Sequence, residues 1–534
     1  MRSWLAITTL LGVAACASVR PVPPQPDLLA ARAVDTAAFA GVQVCSRCHL
    51  ANATVMRDAG GRDVSPIGEW QVSMMGLAAR DPYFLAALAR EHAARPQQAE
   101  AIDDLCLRCH APVGHAAALA AKAPLRMDDV LAGMTPPAEL AREGVTCVGC
   151  HAALPTGLGE ARSFNGKLTL RTDRVVFGLL QAPLHDAMRQ MIQMTAEPGA
   201  HMGQSKLCGS CHTVEVPGLN GDRVLEQATY LEWRASGFST ERPNREPYAA
   251  ECQQCHMPPV DDDGQPLAVA MSTRPLTAPV RSPYARHTLV GGSAYLLQRL
   301  ALFTGWLGAG VRSEELQAAA QRSTALLQQA ATLALARDGQ RVTITITNRT
   351  GHKLPTGYPT RRMWLHVQAL DGVGRVVFES GAHHDGKIVG VDERGEPIVP
   401  DVATLVAAGP PIIWQAVPVG ADQRVTHLQL GVARFAKDNR ILPRGWQAGD
   451  ADARLTPIGI ATDSDHATPG TVTVRFATPP SAVSVAVELL YQAIPPATIA
   501  TYDPASNALA ARFRTIVAAP PIPTVLARST LSLR

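Results

Sequence analysis

One short pattern, Cys-x-x-Cys-His, occurs five times in the first half of this chain of 534 residues. Its cysteines are Cys45, Cys48, Cys106, Cys109, Cys147, Cys150, Cys208, Cys211, Cys252 and Cys255, and the histidines that close it are His49, His110, His151, His212 and His256. Cysteines three positions apart lie on one side of a turn, so both sulfurs can form thioethers to one porphyrin. The next histidine can then bind the iron as its proximal ligand. The repeated pattern therefore predicts five covalently bound haems c.

Paired cysteines also occur in zinc sites, redox dithiols and disulfide frameworks. A zinc half-site or a redox dithiol also contains Cys-x-x-Cys, but neither requires a histidine directly after the second cysteine. A disulfide framework suits an exported protein. However, ten of the eleven cysteines belong to the five patterns, which leaves only Cys16. We therefore expect haem attachment rather than zinc binding or disulfide bonding.

The N-terminus predicts export. A basic start, a short apolar stretch from Trp4 to Val13 and small residues before Cys16 form a signal peptide that resembles a bacterial lipoprotein box. We expect residues 1–16 to be this signal and Cys16 to be the lipidated anchor. Ala17 then implies sorting to the outer membrane, facing the periplasm or the cell surface. The alternative is an ordinary signal peptide cut near Ala17, with Cys16 discarded.

The rest of the chain divides by composition and by the period of its apolar residues. Residues 17–35 are rich in proline and predict an extended tether. We expect a mostly helical and looped pentahaem domain at 36–300, a helical connector at 301–338 containing an amphipathic helix from Ser313 to Leu335, and an antiparallel β-sandwich at 339–534. The fold class is thus α + β and multidomain. Alternating residues predict strands at 341–347, 363–370, 375–378, 425–430, 471–476 and 483–489.

Charge and hydropathy exclude some partners. No stretch after residue 16 resembles a membrane span, because the longest apolar run, 296–311, contains Arg299 and several glycines. The net charge is +3, and no basic run predicts nucleic-acid binding. The expected partners are redox proteins and, through the lipid anchor, a membrane.

Each predicted haem iron also needs a ligand, or an open position, on its second face. Histidine would give a low-potential six-coordinate haem, whereas methionine would raise the potential. We rank His287, His185 and His201 first, because they lie in loops near the fourth and fifth motifs. Weaker candidates are His352, His115, His92, Met74 and Met75. The remaining histidines are expected to be structural or exposed, and they are His366, His383, His384, His427 and His466.

Beyond the motifs, several stretches resemble exported multihaem c-type cytochromes in which a β-domain follows the haem domain. They include Glu69-Trp70, Cys147-Val-Gly-Cys150-His151 with Gly144 before it, Tyr230-Leu-Glu232-Trp233 and Gly351-His-Lys-Leu-Pro-Thr-Gly357. The broader group contains tetrahaem electron carriers, pentahaem nitrite reductase and octahaem hydroxylamine oxidoreductase. The resemblance implies closely stacked haems and electron transfer.

Two functions compete on this basis. The first is electron transfer through stacked haems at the periplasm or outer membrane, without catalysis. The second is a multihaem reductase of a small oxyanion or nitrogen compound, which needs one five-coordinate haem. No motif here ends in the lysine that the resemblance associates with nitrite reductases, and spare histidines suffice for all five irons. We therefore expect an electron-transfer protein rather than an enzyme, and no catalytic residue is assigned. A third hypothesis is that the β-domain binds a partner while the haems serve it.

Overall fold

Short helices and turns form most of the region that carries the five motifs. The computed structural model describes residues 34–218, 221–308, 310–391, 398–399, 401–402, 404–406, 409–460 and 468–534. The predicted signal peptide, Cys16, most of the tether and His466 lie outside these residues. The helices are α1 (Val42–His49), α2 (Pro66–Trp70), α3 (Pro82–Ala94), α4 (Ala99–His110), α5 (Pro112–Ala120), α6 (Met127–Ala132), α7 (Pro136–Arg142), α8 (Cys147–His151), α9 (His185–Ile192), α10 (Ser205–Gly209), α11 (Thr229–Arg234), α12 (Cys252–His256), α13 (Ala294–Leu300), α14 (Thr304–Leu307), α15 (Ser313–Gln329), α16 (Pro496–Ala500) and α17 (Ala508–Ile516).

Strands are short and paired in twos before residue 330 and longer after it. The first six are β1 (Val175–Gly178), β2 (Thr195–Pro198), β3 (Val214–Pro217), β4 (Arg223–Gln227), β5 (Val269–Ala270) and β6 (Val280–Arg281). The others are β7 (Ala331–Asp338), β8 (Arg341–Asn348), β9 (Arg362–Leu370), β10 (Val376–Ser380), β11 (His383–His384), β12 (Lys387–Ile388), β13 (Thr404–Leu405), β14 (Ile413–Val419), β15 (Arg434–Asp438), β16 (Thr471–Ala477), β17 (Ser484–Gln492) and β18 (Thr524–Ser532).

Two sheets of the C-terminal region pack on a shared core. One has the order β15-β14-β9-β17-β18, with β10 also paired to β9, and all its pairs are antiparallel. The other has the order β13-β16-β8-β7, in which only β13 and β16 run parallel. Apolar residues alternate along these strands, and Ile344 of β8 lies in the same buried cluster as Val367 of β9 and Val487 of β17. The two facing sheets therefore form a sandwich.

The C-terminal region also packs against the motif-bearing region. The helix α17 contacts α3, and Phe513 of α17 is buried in one cluster with Leu77 and with Leu316 of α15. Tyr83 of α3 stacks on Phe513 at a centroid distance of 5.2 Å. The two regions thus share part of their core.

Two sequence-based expectations about elements are wrong. The helix that begins at Ser313 ends at Gln329, so Leu333 and Leu335 lie on β7, where they pair with β8. Alternation of Ala331, Leu333 and Leu335 fits a strand as well as a helix, and Gly339, at φ +58°, supplies the hairpin turn. Residues 425–430 form a bridge and a 3₁₀ turn instead of a strand. Within the described residues, no helix is both long and apolar enough to span a membrane.

Candidate haem-binding site

Each of the five motifs lies on a short helical segment. The first and second end α1 and α4, the third and fifth form α8 and α12, and the fourth begins in α10 and continues as a turn to His212. A helical turn places the two cysteines of a motif on one side and brings the histidine beneath them. The described cysteines are not joined by disulfides. Burial raises the pKa of Cys106 and Cys150 to about 12, so these thiols are not ready-made thiolates.

Four motif histidines have the same second contact. Their Nδ1 atoms face backbone carbonyl oxygens, at 2.7 Å for His49 and Met271, 2.9 Å for His110 and Ala78, 2.6 Å for His151 and Phe177, and 2.5 Å for His256 and Val290. A carbonyl can only accept, so Nδ1 carries the proton and Nε2 keeps its lone pair. Metal-bound histidines are oriented in this way by such contacts.

Burial keeps these imidazoles neutral. It lowers the pKa of His110 and of His212 to about 4, and it also lowers the pKa of His49, His151 and His256. The neutral ring is the form that binds a metal ion. The motif histidines are therefore set up as ligands.

A cavity of about 810 Å³ runs past four of the motifs. His49, His110, His151 and His212 line it together with all eight cysteines of their motifs, and most of its other lining side chains are apolar. Protein interiors are otherwise close-packed, with voids seldom larger than a water molecule. A space of this size at the attachment residues fits large apolar groups such as porphyrins. The fifth motif lies nearer the surface, where Cys255 is exposed.

Contacts between motifs give their order in space. The thiol of Cys45 contacts that of Cys147, which joins the first motif to the third. Cys150 packs with Leu207, just before the fourth motif. The fourth motif also touches the second through the thiols of Cys109 and Cys211, and the fifth through those of Cys208 and Cys252. The fourth motif is therefore a branch point with three neighbours.

Hydrogen bonds reinforce the two contacts at this branch point. The Gly166 amide donates to the Ser210 carbonyl at 2.8 Å, and a Cβ on Gly166 would lie 2.7 Å from the Cys109 sulfur. Glycine at this position, with φ +70°, thus lets the second and fourth motifs approach closely. On the other side, the Cys252 amide donates to the Ser205 hydroxyl at 2.9 Å.

His287 is the one non-motif histidine that lines the cavity among the described residues. Its ring centroid lies 6.3 Å from that of His151, and the two ring planes differ by 19°. Two imidazoles bound to opposite sides of one metal, by bonds of about 2 Å each, would have their ring centres roughly 6 Å apart. Burial lowers the pKa of His287 to about 3. The pair therefore has the spacing needed to hold one iron between its rings.

A buried ion pair fixes His287. The Glu69 carboxylate accepts the His287 amide at 2.7 Å and the Arg286 guanidinium at 2.5 Å, and both charged side chains are at most 4% exposed. Asp262 also pairs with Arg286, at 2.5 Å. Glu69 belongs to a stretch that the sequence singled out only by resemblance. Its partner lies 217 residues away, so its role could not be inferred from spacing.

The other two first-ranked histidines are placed differently. His185 begins α9, is exposed and does not line the cavity. His201 is buried, with Nε2 at 2.9 Å from the Ala153 carbonyl and its ring edge-on to Phe177. It therefore lies near the third motif with its Nε2 facing a backbone acceptor.

His352 lies beside the fourth and fifth motifs, in a loop of the β-sandwich region. It is close enough to His212 and His256 for their charges to interact, and its Nδ1 is 2.9 Å from the Lys353 carbonyl. Burial lowers its pKa to about 4. His352 thus shares the tautomer and the neutral state of the motif histidines.

Four buried charges hold this loop against the motif-bearing region. Lys353 Nζ contacts Asp438 at 2.7 Å, Arg440 contacts the same carboxylate at 2.7 Å, and Arg440 also pairs with Glu232 of α11 at 2.9 Å. The Thr356 hydroxyl donates to Glu232 at 2.5 Å. Two of the stretches that carried the family resemblance, around Glu232 and Lys353, therefore meet in one interface.

The weaker candidates for the second iron ligand divide into residues that line the cavity and residues that do not. His92 and His115 face the carboxylates of Asp103 and Asp104, at 2.9 and 2.8 Å, and neither lines the cavity. Met74 and Met75 do line it. Six further methionines that the sequence analysis did not single out share this lining, and they are Met188, Met191, Met194, Met202, Met257 and Met271. Met188 and Met191 lie three positions apart on the amphipathic helix α9, and this spacing is the sequence signal that could have identified them.

A comparison with solved structures identifies a similar fold. Neither a protein-family model nor a curated protein matches the chain. Its structure is similar to the crystal structure of a penta-heme cytochrome c552 from Thermochromatium tepidum, with a TM-score of 0.53 and 18% sequence identity, over 93% of this chain and 100% of that one. The chain therefore has the fold of a multihaem cytochrome c.

Proposed function

We propose that this protein binds five haems c covalently and transfers electrons between redox partner proteins. The observation that carries the proposal is the repeated arrangement at the motifs. Four of the five histidines donate Nδ1–H to a carbonyl and keep Nε2 free, and four motifs surround one apolar cavity. Each haem, when bound, supplies an iron that accepts and releases one electron.

The chain's own residues would hold and insulate these groups. The ten motif cysteines form the thioethers and the five motif histidines bind one side of each iron. His287 would bind the same iron as His151, which the 6.3 Å separation of their rings supports. His352 would bind an iron of the fourth or fifth motif, which its neutral ring and its proximity to His212 and His256 support.

The order of the motifs supports a branched route for electrons. The first, third and fourth motifs are joined in sequence, and the second and fifth both adjoin the fourth. The fifth motif is nearest the surface, because Cys255 is exposed. We therefore propose it as the point where a partner exchanges electrons with the chain.

A reductive titration tests this proposal. An oxidised sample is titrated anaerobically with a one-electron donor while the haem absorbance is followed. The chain should take up five electrons, with a haem absorbance change at each step. An uptake of one or two electrons would contradict a pentahaem carrier.

We also propose that Cys16 is lipidated and anchors the protein in the outer membrane. The support is the lipoprotein-like box that ends at Cys16 and the proline-rich segment after it. Cys16→Ser should move the protein from the membrane fraction to the soluble fraction after cell breakage. Val19→Ser, a serine substitution in the tether that leaves Cys16 and Ala17 unchanged, serves as the control. A Cys16→Ser protein that stays in the membrane would contradict lipid anchoring.

A further inference from the structure

The second motif has an unusual environment on the side of its histidine. The ring of Phe84 stacks on His110 at a centroid distance of 3.6 Å, and the Ala78 carbonyl accepts from its Nδ1. Met74 and Met75 belong to the same segment, and the Met75 carbonyl accepts from the amides of Ala78 and Val145. This segment therefore covers the proximal side of the second motif.

Apart from His287, the non-motif histidines among the described residues do not line the main cavity. The two that are nearest in sequence, His92 and His115, face Asp103 and Asp104. His287 is the cavity-lining exception, and it faces His151 of the third motif. In the described part of the chain the main cavity thus has no further histidine for the second motif, and His427 lines the adjoining side cavity instead.

A buried acid occupies the cavity wall near the second motif instead. Glu226 of β4 is 3% exposed and lines the cavity, and neither of its carboxylate oxygens has a well-formed hydrogen bond. The side chain of Gln227 is a weak polar neighbour. Glu91, Asp103 and Glu226 are the acidic groups whose charges act on the Cys106 thiol. Glu226 therefore lies within electrostatic range of the second attachment site.

Two tyrosines and a small side cavity lie beside Glu226. Tyr358 lines the main cavity and packs edge-on against Tyr83 at 5.9 Å. A second cavity of about 30 Å³ shares Glu226, Tyr358 and Gln429 with the main one and is also lined by His427. It has room for about two water molecules. Leu430, next to Gln429, packs in one cluster with Cys106, so the side cavity adjoins the second motif.

An unpaired buried carboxyl group is costly, so its presence calls for a partner. Burying a polar group without a hydrogen bond costs about 1–3 kcal/mol in proteins. Burial also raises the pKa of Glu226 to about 8, so at neutral pH its carboxyl keeps the proton and can donate a hydrogen bond. A ligand with an accepting oxygen or nitrogen atom would satisfy it.

We propose that the haem of Cys106, Cys109 and His110 keeps an open sixth position, and that Glu226 and Tyr358 line a pocket there for a small ligand that accepts a hydrogen bond. This inference rests on the proposed haem attachment. It places the five-coordinate haem of the reductase hypothesis at the second motif. Glu226 donates to the atom of the ligand that lies away from the iron, and Tyr358 closes the wall of the pocket.

The test combines spectroscopy with ligand binding on the intact protein. The oxidised protein should show one high-spin ferric haem by electron paramagnetic resonance, and the reduced protein should bind one carbon monoxide per chain. In Glu226→Leu and in Tyr358→Phe the C–O stretching frequency should shift, and cyanide affinity of Glu226→Leu should fall about tenfold, because leucine cannot donate the hydrogen bond. Glu215→Leu, on the neighbouring β3 and outside the cavity, should bind both ligands as the wild type does.

The possible failures are distinguishable. A wild-type protein with five haems, all low-spin and none binding carbon monoxide, would overturn the pocket and leave the haem assignment intact. Unchanged carbon monoxide and cyanide binding in both Glu226→Leu and Tyr358→Phe would place the open haem elsewhere and overturn the pocket too. A wild-type chain without a haem on Cys106 and Cys109 would overturn both proposals.

Discussion

At the scale of single residues, the decisive feature is which nitrogen of each histidine is free. A backbone carbonyl at Nδ1 fixes the tautomer of His49, His110, His151 and His256, and the same contact occurs at His352. Burial then keeps these rings neutral. Backbone carbonyl oxygens thus orient the histidines, so no additional polar side chain is needed for this purpose in an apolar cavity.

We predict that His287→Ala removes one axial ligand from the haem of the third motif. One haem should change from low-spin to high-spin, because alanine cannot bind the iron. Electron paramagnetic resonance and the absorbance of the oxidised protein measure this change. His185→Ala is the matched control, since His185 is exposed and outside the cavity. Identical spectra for His287→Ala and the wild type would rule out His287 as a ligand.

The sequence is sufficient to predict the attachment residues, but not their partners. The motif spacing is local, so the ten cysteines and five histidines could be identified from it. The second ligands depend on contacts between distant segments, such as Glu69 with His287, 218 residues apart. Spacing could therefore rank His287, His185 and His201 together, although the structure brings only His287 into the cavity.

At the scale of elements, the loop 351–357 connects the sandwich to the motif-bearing region. Lys353 is fully buried. Burial alone would raise the pKa of Asp438, but the positive charges of Arg440 and Lys353 hold that pKa well below its usual range. The same loop carries His352 toward the fourth and fifth motifs. The sandwich thus contributes directly to the cavity region.

We predict that Asp438→Asn destabilises the protein by about 3–5 kcal/mol, because it leaves the buried Lys353 and Arg440 without their shared carboxylate. Denaturant unfolding of the haem-loaded protein measures the change. Asp450→Asn is the control, since Asp450 is 58% exposed and pairs with Arg242 at 3.1 Å, and a surface pair contributes about 0–1 kcal/mol. Equal stability of the two variants would show that the network does not hold the loop.

Five of the six strands that alternation predicts after residue 340 are present, as β8, β9, β10, β16 and β17, whereas residues 425–430 do not form a strand. The prediction that the helix continues beyond Gln329 is wrong for a physical reason. Alanine and leucine favour a helix, but β7 is a strand because it pairs with β8 along its whole length. Hydrogen bonding between strands outweighed local propensity there.

At the scale of the whole molecule, the cavity takes the place that a core would occupy. The residues around it are spread from Cys45 to Ile494, so the segments that surround it come from both the motif-bearing region and the sandwich. A void of about 810 Å³ lined by apolar side chains would be destabilising unless it is filled. The bound groups are thus expected to be part of the folded structure as well as of the function.

The most direct measurement is the number of covalently bound haems per chain. Intact-protein mass spectrometry, together with the haem absorbance of the denatured chain in alkaline pyridine, gives the number of haems that remain attached after unfolding. We expect five per chain, and four when Cys147 and Cys150 are both replaced by alanine. A wild-type chain that loses its haem on unfolding, or that carries fewer than five, would contradict this expectation.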